Sequence, residues 1–170
     1  MVRGTLITGG ARPAVRLERQ LSDSPQVVWQ AITDREQLRS WFPCDVEVED
    51  GRWVVGVTIT FVFPVEVIEM TLTGEVLFVD EPRALAFTWG GEIVRFELHP
   101  SNGGTQLILT DELSPGSAAR NAAGWDDCLD RLIGRSPYSD AWKPHFDEHV
   151  KAFEPALGSQ KGPPPGNKGT

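Results

Sequence analysis

Hydrophobic and polar positions alternate near the start of the chain and then change to a helical spacing. The alternation over Pro13–Leu21 predicts a β-strand. Ser24 is a typical helix N-cap, and it precedes a proline and an apolar stripe that predict a short helix ending near Thr33. Asp34 can cap a second short helix over residues 35–40. The proline that follows soon afterwards ends the helical pattern.

Between Cys44 and Leu113 the pattern is typical of strands. β-Branched and aromatic residues alternate with polar ones, and turn-forming residues interrupt the alternation. We therefore predict about six strands that follow one another as hairpins. The predicted turns lie at residues 49–51, 63–64, 80–82, 90–91 and 101–104.

Helical spacing returns after Ser117. Apolar residues from Trp125 to Leu132 share one face of a long C-terminal helix, and a further helix is predicted over residues 140–157. The order of elements is therefore one strand, two short helices, an antiparallel meander and a helical end. This order predicts an α+β domain.

The domain is expected to span residues 12–157. Residues 1–11 are rich in glycine and polar residues, and they predict a flexible lead-in. Residues 158–170 consist largely of glycine, proline and lysine, a composition that predicts a disordered tail.

The turns also predict which side chains share a face of the sheet. A two-residue turn at Gly90–Gly91 pairs Trp89 with Glu92. Antiparallel partners project to the same face, so each pairing extends the assignment to the next strand. The further predicted pairs are Phe87–Val94, Leu85–Phe96, Leu98–Thr105, Phe96–Leu107, Val94–Leu109, Glu92–Asp111, Phe78–Leu85, Val76–Phe87, Gly74–Trp89, Phe61–Ile68, Ile59–Met70 and Val57–Leu72.

One face of the predicted sheet is apolar and the other is polar, which is typical of an antiparallel sheet with one face in water. The apolar face comprises Trp53, Val55, Val57, Ile59, Phe61, Ile68, Met70, Leu72, Val76, Phe78, Leu85, Phe87, Trp89, Val94, Phe96, Leu98, Leu107 and Leu109. The polar face comprises Glu69, Thr71, Thr73, Glu75, Arg95, Glu97 and His99.

A single C-terminal helix is too narrow to cover that apolar face. A helix is about 10 Å wide, whereas six or seven strands spaced about 4.8 Å apart span roughly 30 Å. The sheet must therefore curl around the helix or leave a cavity between them. A cavity of this kind predicts a binding site for a small apolar or aromatic ligand.

The composition excludes some partners. The net charge of −8 disfavours binding to nucleic acid or to an anionic membrane surface. No apolar run approaches the roughly 20 residues that span a bilayer. The first residues lack the apolar segment of a signal peptide, so we expect a cytoplasmic protein.

Cysteine and histidine usage predicts neither a metal site nor a cofactor. Cys44 and Cys128 do not make a disulfide framework, and we expect them to be reduced, with a bridge between them as the alternative. His145 and His149 are four residues apart and could share a helix face. Without further ligands, such a pair is more typical of a solvated face.

Large apolar side chains on the inner face are candidates for ligand contact. The plain alternative is that most of them form the core. Tryptophan is harder to explain by packing alone, because a buried indole N–H needs a partner, and the chain has six tryptophans. The candidates are Trp41, Trp53, Met70, Phe87, Trp89, Phe96, Trp125 and Leu129.

Two carboxylates are candidates for chemistry. The predicted pairing places Glu92 opposite Asp111 at one end of the apolar face. Like charges so close would raise one pKa, an arrangement suited to general acid–base catalysis. The alternative is that both lie at strand ends in water and have no role.

Five segments, in this order, resemble the START-like or SRPBCC superfamily over about residues 13–157. Within it they resemble most the branch named after activators of the heat-shock protein 90 ATPase. The resemblance implies the helix-grip (Bet v 1-like) fold, a curved antiparallel sheet of six to seven strands around a long C-terminal helix. The segments are Ser24–Trp29, Leu38–Phe42, Gly74–Trp89, Gly104–Leu107 and Gly124–Leu129.

The resemblance leaves three functions open. It implies a pocket for an apolar or aromatic molecule, so we expect a non-catalytic carrier or sensor that acts as a monomer or homodimer. One alternative is a polyketide cyclase- or dehydratase-like enzyme that uses Glu92 and Asp111. The other is an interaction module that activates a chaperone ATPase in the stress response.

Overall fold

The described part of the computed structural model, residues 4–66, 68–134 and 142–162, contains eight strands and four α-helices. The strands are β1 (Gly4–Ile7), β2 (Ala14–Leu21), β3 (Asp45–Val48), β4 (Thr58–Val62), β5 (Thr71–Asp80), β6 (Ala84–Trp89), β7 (Glu92–Ser101) and β8 (Gly104–Glu112). The helices are α1 (Pro25–Thr33), α2 (Arg35–Leu38), α3 (Ala118–Leu132) and α4 (Trp142–Leu157), with 3₁₀ turns at Glu49–Gly51 and Pro115–Ser117.

The strands form one antiparallel sheet in the order β1-β2-β8-β7-β6-β5-β4-β3. The predicted α+β class is confirmed, and so is the run of six hairpin-connected strands from β3 to β8. The total is eight rather than six or seven, because β1 adds an edge strand beside β2. No helix in the described ranges is long and apolar enough to cross a membrane.

Both ends of the described chain are more ordered than the sequence predicts. Residues 4–7, predicted as flexible lead-in, form β1, because the free edge of β2 offers backbone hydrogen bonds that need no apolar pattern. Residues 158–162 of the predicted tail contact the 3₁₀ turn and the start of α3. The Lys161 N–H donates to the Gly116 carbonyl at 2.8 Å, and the Ala119 N–H donates to the Gln160 side chain at 2.9 Å. Residues 163–170 of that predicted tail lie outside the described residues.

The predicted helix starts are confirmed. The Ser24 hydroxyl accepts a hydrogen bond from the Val27 N–H at the start of α1, and the Asp34 carboxylate accepts one from the Gln37 N–H at the start of α2. These caps satisfy backbone donors that a helix leaves unpaired. Helix α2 ends at Leu38, two residues earlier than predicted.

The predicted register is correct at one hairpin and shifted at two others. Trp89 pairs with Glu92 around the Gly90–Gly91 turn, as predicted. Phe96 pairs with Leu109 rather than Leu107, because a tight turn pairs Ser101 directly with Gly104. Both shifts are even: Phe61, for example, pairs with Leu72 instead of Ile68. An even shift keeps each side chain on its predicted face.

A β-bulge overturns the predicted position of Phe78. The register between β5 and β6 shifts between Val76 and Phe78, so Phe78 pairs with Ala86 and points outward, 42% exposed. The Arg95 guanidinium lies over its ring. Just before the bulge, a Cβ at Gly74 would lie 2.1 Å from the Thr88 carbonyl oxygen, so only glycine fits that close approach.

Three helices, rather than one, cover the inner face of the sheet. Val28 and Ile32 of α1 and Leu38 of α2 are buried in the same apolar core as Leu129 of α3. The prediction of a wide gap counted only the C-terminal helix and left out α1 and α2. The inner face is therefore more completely covered than its width suggested.

A buried ion network attaches α4 to α3 and β2. Arg19 of β2 donates to Asp126 of α3 at 2.8 Å. The Nε2 atom of His149, in α4, lies 2.7 Å from the other Asp126 carboxylate oxygen. Burial raises the pKa of Asp126, but the hydrogen bonds with His149 and Arg19 outweigh it and leave the pKa below its usual value. The predicted solvated face is therefore wrong for His149, which is 1% exposed.

Replacement of Phe87 tests the face assignment. Phe87 is buried against Phe61 and Phe96, so Phe87→Ala should lower the free energy of unfolding by about 3–5 kcal/mol. The neighbouring Thr88→Ala variant loses one hydrogen bond from the Glu75 N–H and should cost about 1 kcal/mol. Urea unfolding measures both, and equal costs would contradict the assignment.

Candidate functional site

Glu92 and Asp111 lie together at one end of the inner face. Asp111 pairs with Val94 in the β7–β8 ladder, so Glu92 is its diagonal neighbour rather than its direct partner. The Asp111 side chain is fully buried, whereas Glu92 is partly exposed. We call these two residues the carboxyl pair.

Two donors from α3 hold the carboxyl pair. The Asn121 amide nitrogen donates to the two Glu92 carboxylate oxygens, 2.9 and 2.8 Å away, and lies 3.3 Å from Asp111 Oδ2. The Trp125 indole nitrogen donates to the same Asp111 oxygen at 3.0 Å. Asn121 and Trp125 are four residues apart, so one helix face presents both donors.

One oxygen of the Asp111 carboxyl group has no hydrogen-bond donor among the described residues. Asp111 Oδ1 is buried and receives no hydrogen bond from the residues that the structure describes. A buried polar atom without a partner costs free energy, so it calls for an explanation beyond packing.

Burial changes the proton affinity of the carboxyl pair. Burial, reinforced by the charge of Glu92, raises the pKa of Asp111 well above its usual value. Burial also raises the pKa of Glu92, against opposing hydrogen bonds with Asp111 and Asn121. The pair therefore retains a proton to higher pH than two isolated carboxyl groups would.

A column of aromatic rings leads from the carboxyl pair into the interior. The centroid of Trp125 lies 5.9 Å from that of Trp89, and Trp89 lies 4.6 Å from Phe61. The column continues from Phe61 to Phe87 at 5.8 Å and from Phe87 to Trp53 at 5.9 Å. We call these five residues the aromatic column.

The column is partly exposed at its Trp53 end and again beside the carboxyl pair. Trp89 is partly exposed there, and the ring of Phe63 lies 5.7 Å from it. Met70 and Leu72 are also partly exposed. The Met70 carbonyl accepts a hydrogen bond from the Phe63 N–H at 3.1 Å, and the Leu72 side chain lies next to Gly90. We call the four side chains of Phe63, Met70, Leu72 and Trp89 the apolar rim.

Three other predicted ligand residues are part of the core. Trp41 is buried, and its indole nitrogen donates to the Ala31 carbonyl at 3.0 Å. Phe96 and Leu129 are also buried. The indole of Trp41 thus has the partner it needs within the fold, so its burial requires no ligand.

The interior beside the column is closed. The gap between the sheet and the helices there has no room for a water molecule. It is lined by Ile32, Leu38, Phe42, Val46, Trp53, Phe61, Phe87 and Phe96. The large open cavity predicted from the width of the sheet is therefore absent at this position, because aromatic rings fill it.

An open groove lies outside the other end of the column. Its volume is about 530 Å³, and Trp53 forms part of its wall. The Trp53 indole donates to the Thr33 carbonyl at 2.9 Å. Trp53 and Val46 line both the groove and the closed interior, so Trp53 separates the two spaces.

Neither metal nor thiol chemistry has a built site in the described ranges. No group of three or more His, Cys, Asp or Glu side chains there could hold a metal ion. Cys44 and Cys128 are free and buried, and burial raises the pKa of both thiols. The alternative of a bridge between them is therefore wrong.

Sequence reasoning missed Asn121, which contacts both carboxyl groups. The signal was present in the four-residue spacing between Asn121 and Trp125, because that spacing puts an amide and an indole on one helix face. Phe42 was missed too, although its ring lies 5.4 Å from Trp89 and 5.7 Å from Trp125.

The family model described as "Activator of Hsp90 ATPase homolog 1-like protein" matches residues 23–134. The chain belongs to this family. The resemblance to the corresponding branch of the SRPBCC superfamily is therefore confirmed. The matched region contains the carboxyl pair, Asn121 and the aromatic column, whereas β1, β2 and α4 lie outside it.

Solved structures share the fold of this family member. The conserved protein of unknown function EF2215 from Enterococcus faecalis is 22% identical, with a TM-score of 0.75 over 90% of this chain and 91% of that one. CalU16 from Micromonospora echinospora is 19% identical, with a TM-score of 0.67 over 92% and 95%. MLL2253 from Mesorhizobium loti is 23% identical, with a TM-score of 0.62 over 71% and 93%. No curated protein sequence matches. The helix-grip fold is thus confirmed.

The pH dependence of stability tests the state of Asp111. Because the folded pKa values of the pair are raised, the folded protein keeps protons that the unfolded chain releases above about pH 4. The free energy of unfolding should therefore fall as pH rises through the folded pKa values. Asp111→Asn keeps the shape of the side chain but cannot ionise, so its free energy of unfolding should not fall in this way. At pH 8 that free energy should exceed the wild-type value by about 1–3 kcal/mol.

The matched control is Glu112→Gln, on the next residue of β8, whose side chain is exposed. Urea unfolding at pH 4 and pH 8 measures the free energy of unfolding of each variant relative to the wild type. We expect Asp111→Asn to gain much more stability at pH 8 than at pH 4, and Glu112→Gln to gain none at either pH. Equal destabilisation of Asp111→Asn at both pH values would mean that folding leaves the pKa of Asp111 unchanged. A larger destabilisation at pH 8 than at pH 4 would mean that the folded protein needs an ionised Asp111.

Proposed function

We propose that this protein is a cytoplasmic, non-catalytic binding protein for a small aromatic molecule. The ligand binds at the apolar rim, with its rings against Trp89 and its polar end toward Glu92 and Asp111. The observation that carries the proposal is the carboxyl pair, with Asp111 buried and Glu92 partly exposed, at an end of the aromatic column where Trp89 is partly exposed.

The rim offers the surface that an aromatic ligand needs. Trp89 is in ring contact with Phe63 and Trp125, so a ligand ring that replaces or joins one of them keeps edge-to-face geometry. Met70 adds a flexible side chain that adapts to different shapes. Binding sites of this kind are mostly apolar, with a few polar groups that fix orientation.

The closed interior limits how the ligand binds. The gap beside Phe87 does not admit even a water molecule, so it cannot hold a drug-sized ligand. Binding therefore requires movement of side chains, and the half-buried Trp89 can move at lower cost than the buried rings. The ligand would then displace Trp89 rather than fill a cavity that already exists.

Binding of a fluorescent probe tests this proposal. N-Phenyl-1-naphthylamine is an uncharged aromatic probe whose emission rises in apolar sites. We expect saturable binding with a micromolar Kd, equivalent to about 8 kcal/mol. Trp89→Leu should weaken it about ten-fold or more, because a leucine cannot make the ring contacts.

The matched control is Trp53→Leu, the same change at the groove end of the aromatic column. It should leave the Kd of the probe unchanged. Absence of saturable binding to the wild type would exclude the proposal. Equal weakening by both substitutions would move the binding site away from the apolar rim.

A second candidate is an acid–base enzyme of the polyketide cyclase or dehydratase type. The raised pKa values of the carboxyl pair favour it, because a protonated Asp111 can act as an acid while the more exposed Glu92 acts as a base. Mass spectrometry of polyketide-like aromatics after incubation tests it. Loss of water from the substrate with the wild type, and not with Glu92→Gln, would favour the enzyme.

A third candidate is an interaction module that activates a chaperone ATPase. The closed interior favours it, because a domain that acts through its surface needs no cavity. The ATP hydrolysis rate of an Hsp90-type chaperone, measured with and without this protein, tests it. A rise in that rate with no probe binding would replace the ligand-binding proposal.

A further inference from the structure

We infer that the open groove at the Trp53 end of the aromatic column is a second binding site, and that its ligand is an uncharged sugar. The groove lies apart from the apolar rim, so its occupancy is independent of the function proposed for that rim. Its size, the indole in its wall and the mixed charges around it define the ligand.

The groove has room for a ligand without any movement of the core. It is lined by the end of α1, the start of α2 and strand β3, and its volume is about 530 Å³. Small-molecule sites commonly occupy roughly 300–1,000 Å³. Gly51 also lines it, and a Cβ at that position would have no atom within 4 Å, so this side of the groove is open. A mono- or disaccharide fits such a space, in contrast to the closed interior.

Trp53 gives the groove an apolar platform. The indole is partly exposed, and its N–H is already bonded to the Thr33 carbonyl at 2.9 Å. Its ring contact with Phe87, at 5.9 Å, fixes it against the core. The indole therefore offers a ligand a rigid apolar surface rather than a donor. The C–H groups on one side of a pyranose ring form an apolar surface that stacks on such a platform.

Fixed donors and acceptors surround this platform. The Arg35 guanidinium donates to the two Asp45 oxygens at 3.0 and 2.7 Å and to Glu47 at 2.8 Å. These bonds use Nε and Nη2, so Nη1 takes no part in them. The hydrogen bond from Arg35 lowers the pKa of Asp45 to about 2, so the pair is ionised at neutral pH. The Asp34 carboxylate, which caps α2, supplies a further acceptor at the groove.

These mixed charges disfavour a charged ligand. A cation would meet the Arg35 guanidinium, and an anion would meet the carboxylates of Asp34 and Glu47 in a protein of net charge −8. A hydroxyl group can use both kinds of partner, because it donates to a carboxylate and accepts from a guanidinium. Hydrogen bonds to ionised groups are also stronger than those between neutral groups. Hydroxyls around an apolar ring face are the pattern of a sugar.

The open shape of the groove also favours a sugar over a flat aromatic ligand. Trp53 is the aromatic side chain among the described residues that line the groove, so it covers one face of a bound ring. An aromatic ligand would leave its other face in water and lose much of the gain from burial. A sugar stacks one face on the indole and keeps its outer hydroxyls in water at little cost.

Titration of nitrogen-15-labelled protein with cellobiose tests the inference. Cellobiose is an uncharged β-linked glucose disaccharide whose hydroxyls are equatorial, so its ring faces are apolar. We expect saturable shifts of the Trp53 indole N–H and the Gly51 backbone N–H, with a millimolar Kd. The Trp125 indole signal should stay unchanged, because that group is bonded to Asp111 at the other end of the column. Tetramethylammonium and acetate should cause no saturable shift of the Gly51 signal.

Substitutions separate the platform from the acceptors. Trp53→Leu should weaken cellobiose binding about ten-fold or more, and Trp53→Phe should restore most of it, because phenylalanine keeps a ring. Glu47→Ala should weaken binding about five-fold or more through loss of an acceptor and of the Arg35 contact. The Glu47 side chain is half exposed, so this variant should fold even if Trp53→Leu does not. Glu36→Ala, on α2 but outside the groove lining, is the matched control and should keep the wild-type Kd.

The outcomes are distinct from those of the test of the apolar rim. Saturable cellobiose binding that falls in Glu47→Ala and not in Glu36→Ala supports a sugar site in the groove. Absence of saturable shifts with cellobiose overturns it, and so does saturable binding of tetramethylammonium or acetate at Gly51. Equal weakening by Glu47→Ala and Glu36→Ala also overturns it, because the effect would not depend on the groove. Binding of N-phenyl-1-naphthylamine at the rim is unaffected by any of these results.

Discussion

The apolar inner face of the sheet is the constraint on which the rest of this structure depends. Eight twisted strands expose a face much wider than one helix, and the chain covers it with α1, α2, α3 and a set of large aromatic rings. The rings fill the space so closely that no water fits beside Phe87. This packing gives the domain its core, and it also means that a ligand must compete with side chains already in place.

The carboxyl pair is the exception to that apolar packing. Asp111 is buried among rings, and its neighbours Asn121 and Trp125 do not satisfy both of its oxygens. An apolar residue would pack there without the cost of desolvation, so stability alone does not account for the carboxyl group. Buried titratable groups with raised pKa values cluster at functional sites, which directs attention to this end of the sheet. The network of Arg19, Asp126 and His149 differs, because each Asp126 oxygen has a partner and the network attaches α4 to the domain. The Nδ1 atom of His149 has no hydrogen-bond partner among the described residues.

Much of the fold could be predicted from the sequence because side chains alternate between the two faces of a strand. The face of a residue therefore depends only on whether its position is odd or even within the strand. Two hairpins were predicted with shifted registers, yet even shifts kept Asp111 on the inner face, where it meets Glu92 diagonally. Phe78 was placed wrongly because a β-bulge shifts the register between Val76 and Phe78, and the alternation of residues along the chain does not reveal such a shift. The closed interior was not predictable either, since it depends on how α1 and α2 pack over the sheet.

The indole N–H signal of Trp125 in nitrogen-15 NMR spectra tests the central claim most directly, because that group is bonded to Asp111. If a ligand binds beside Trp89 and the carboxyl pair, N-phenyl-1-naphthylamine should shift the Trp125 signal strongly. It should leave the Trp41 signal unchanged, because that indole is bonded to the Ala31 carbonyl in the core. In the absence of ligand, the Trp125 signal should also titrate well above the ordinary pKa of an aspartate. A Trp125 signal that responds neither to N-phenyl-1-naphthylamine nor to pH would contradict the account.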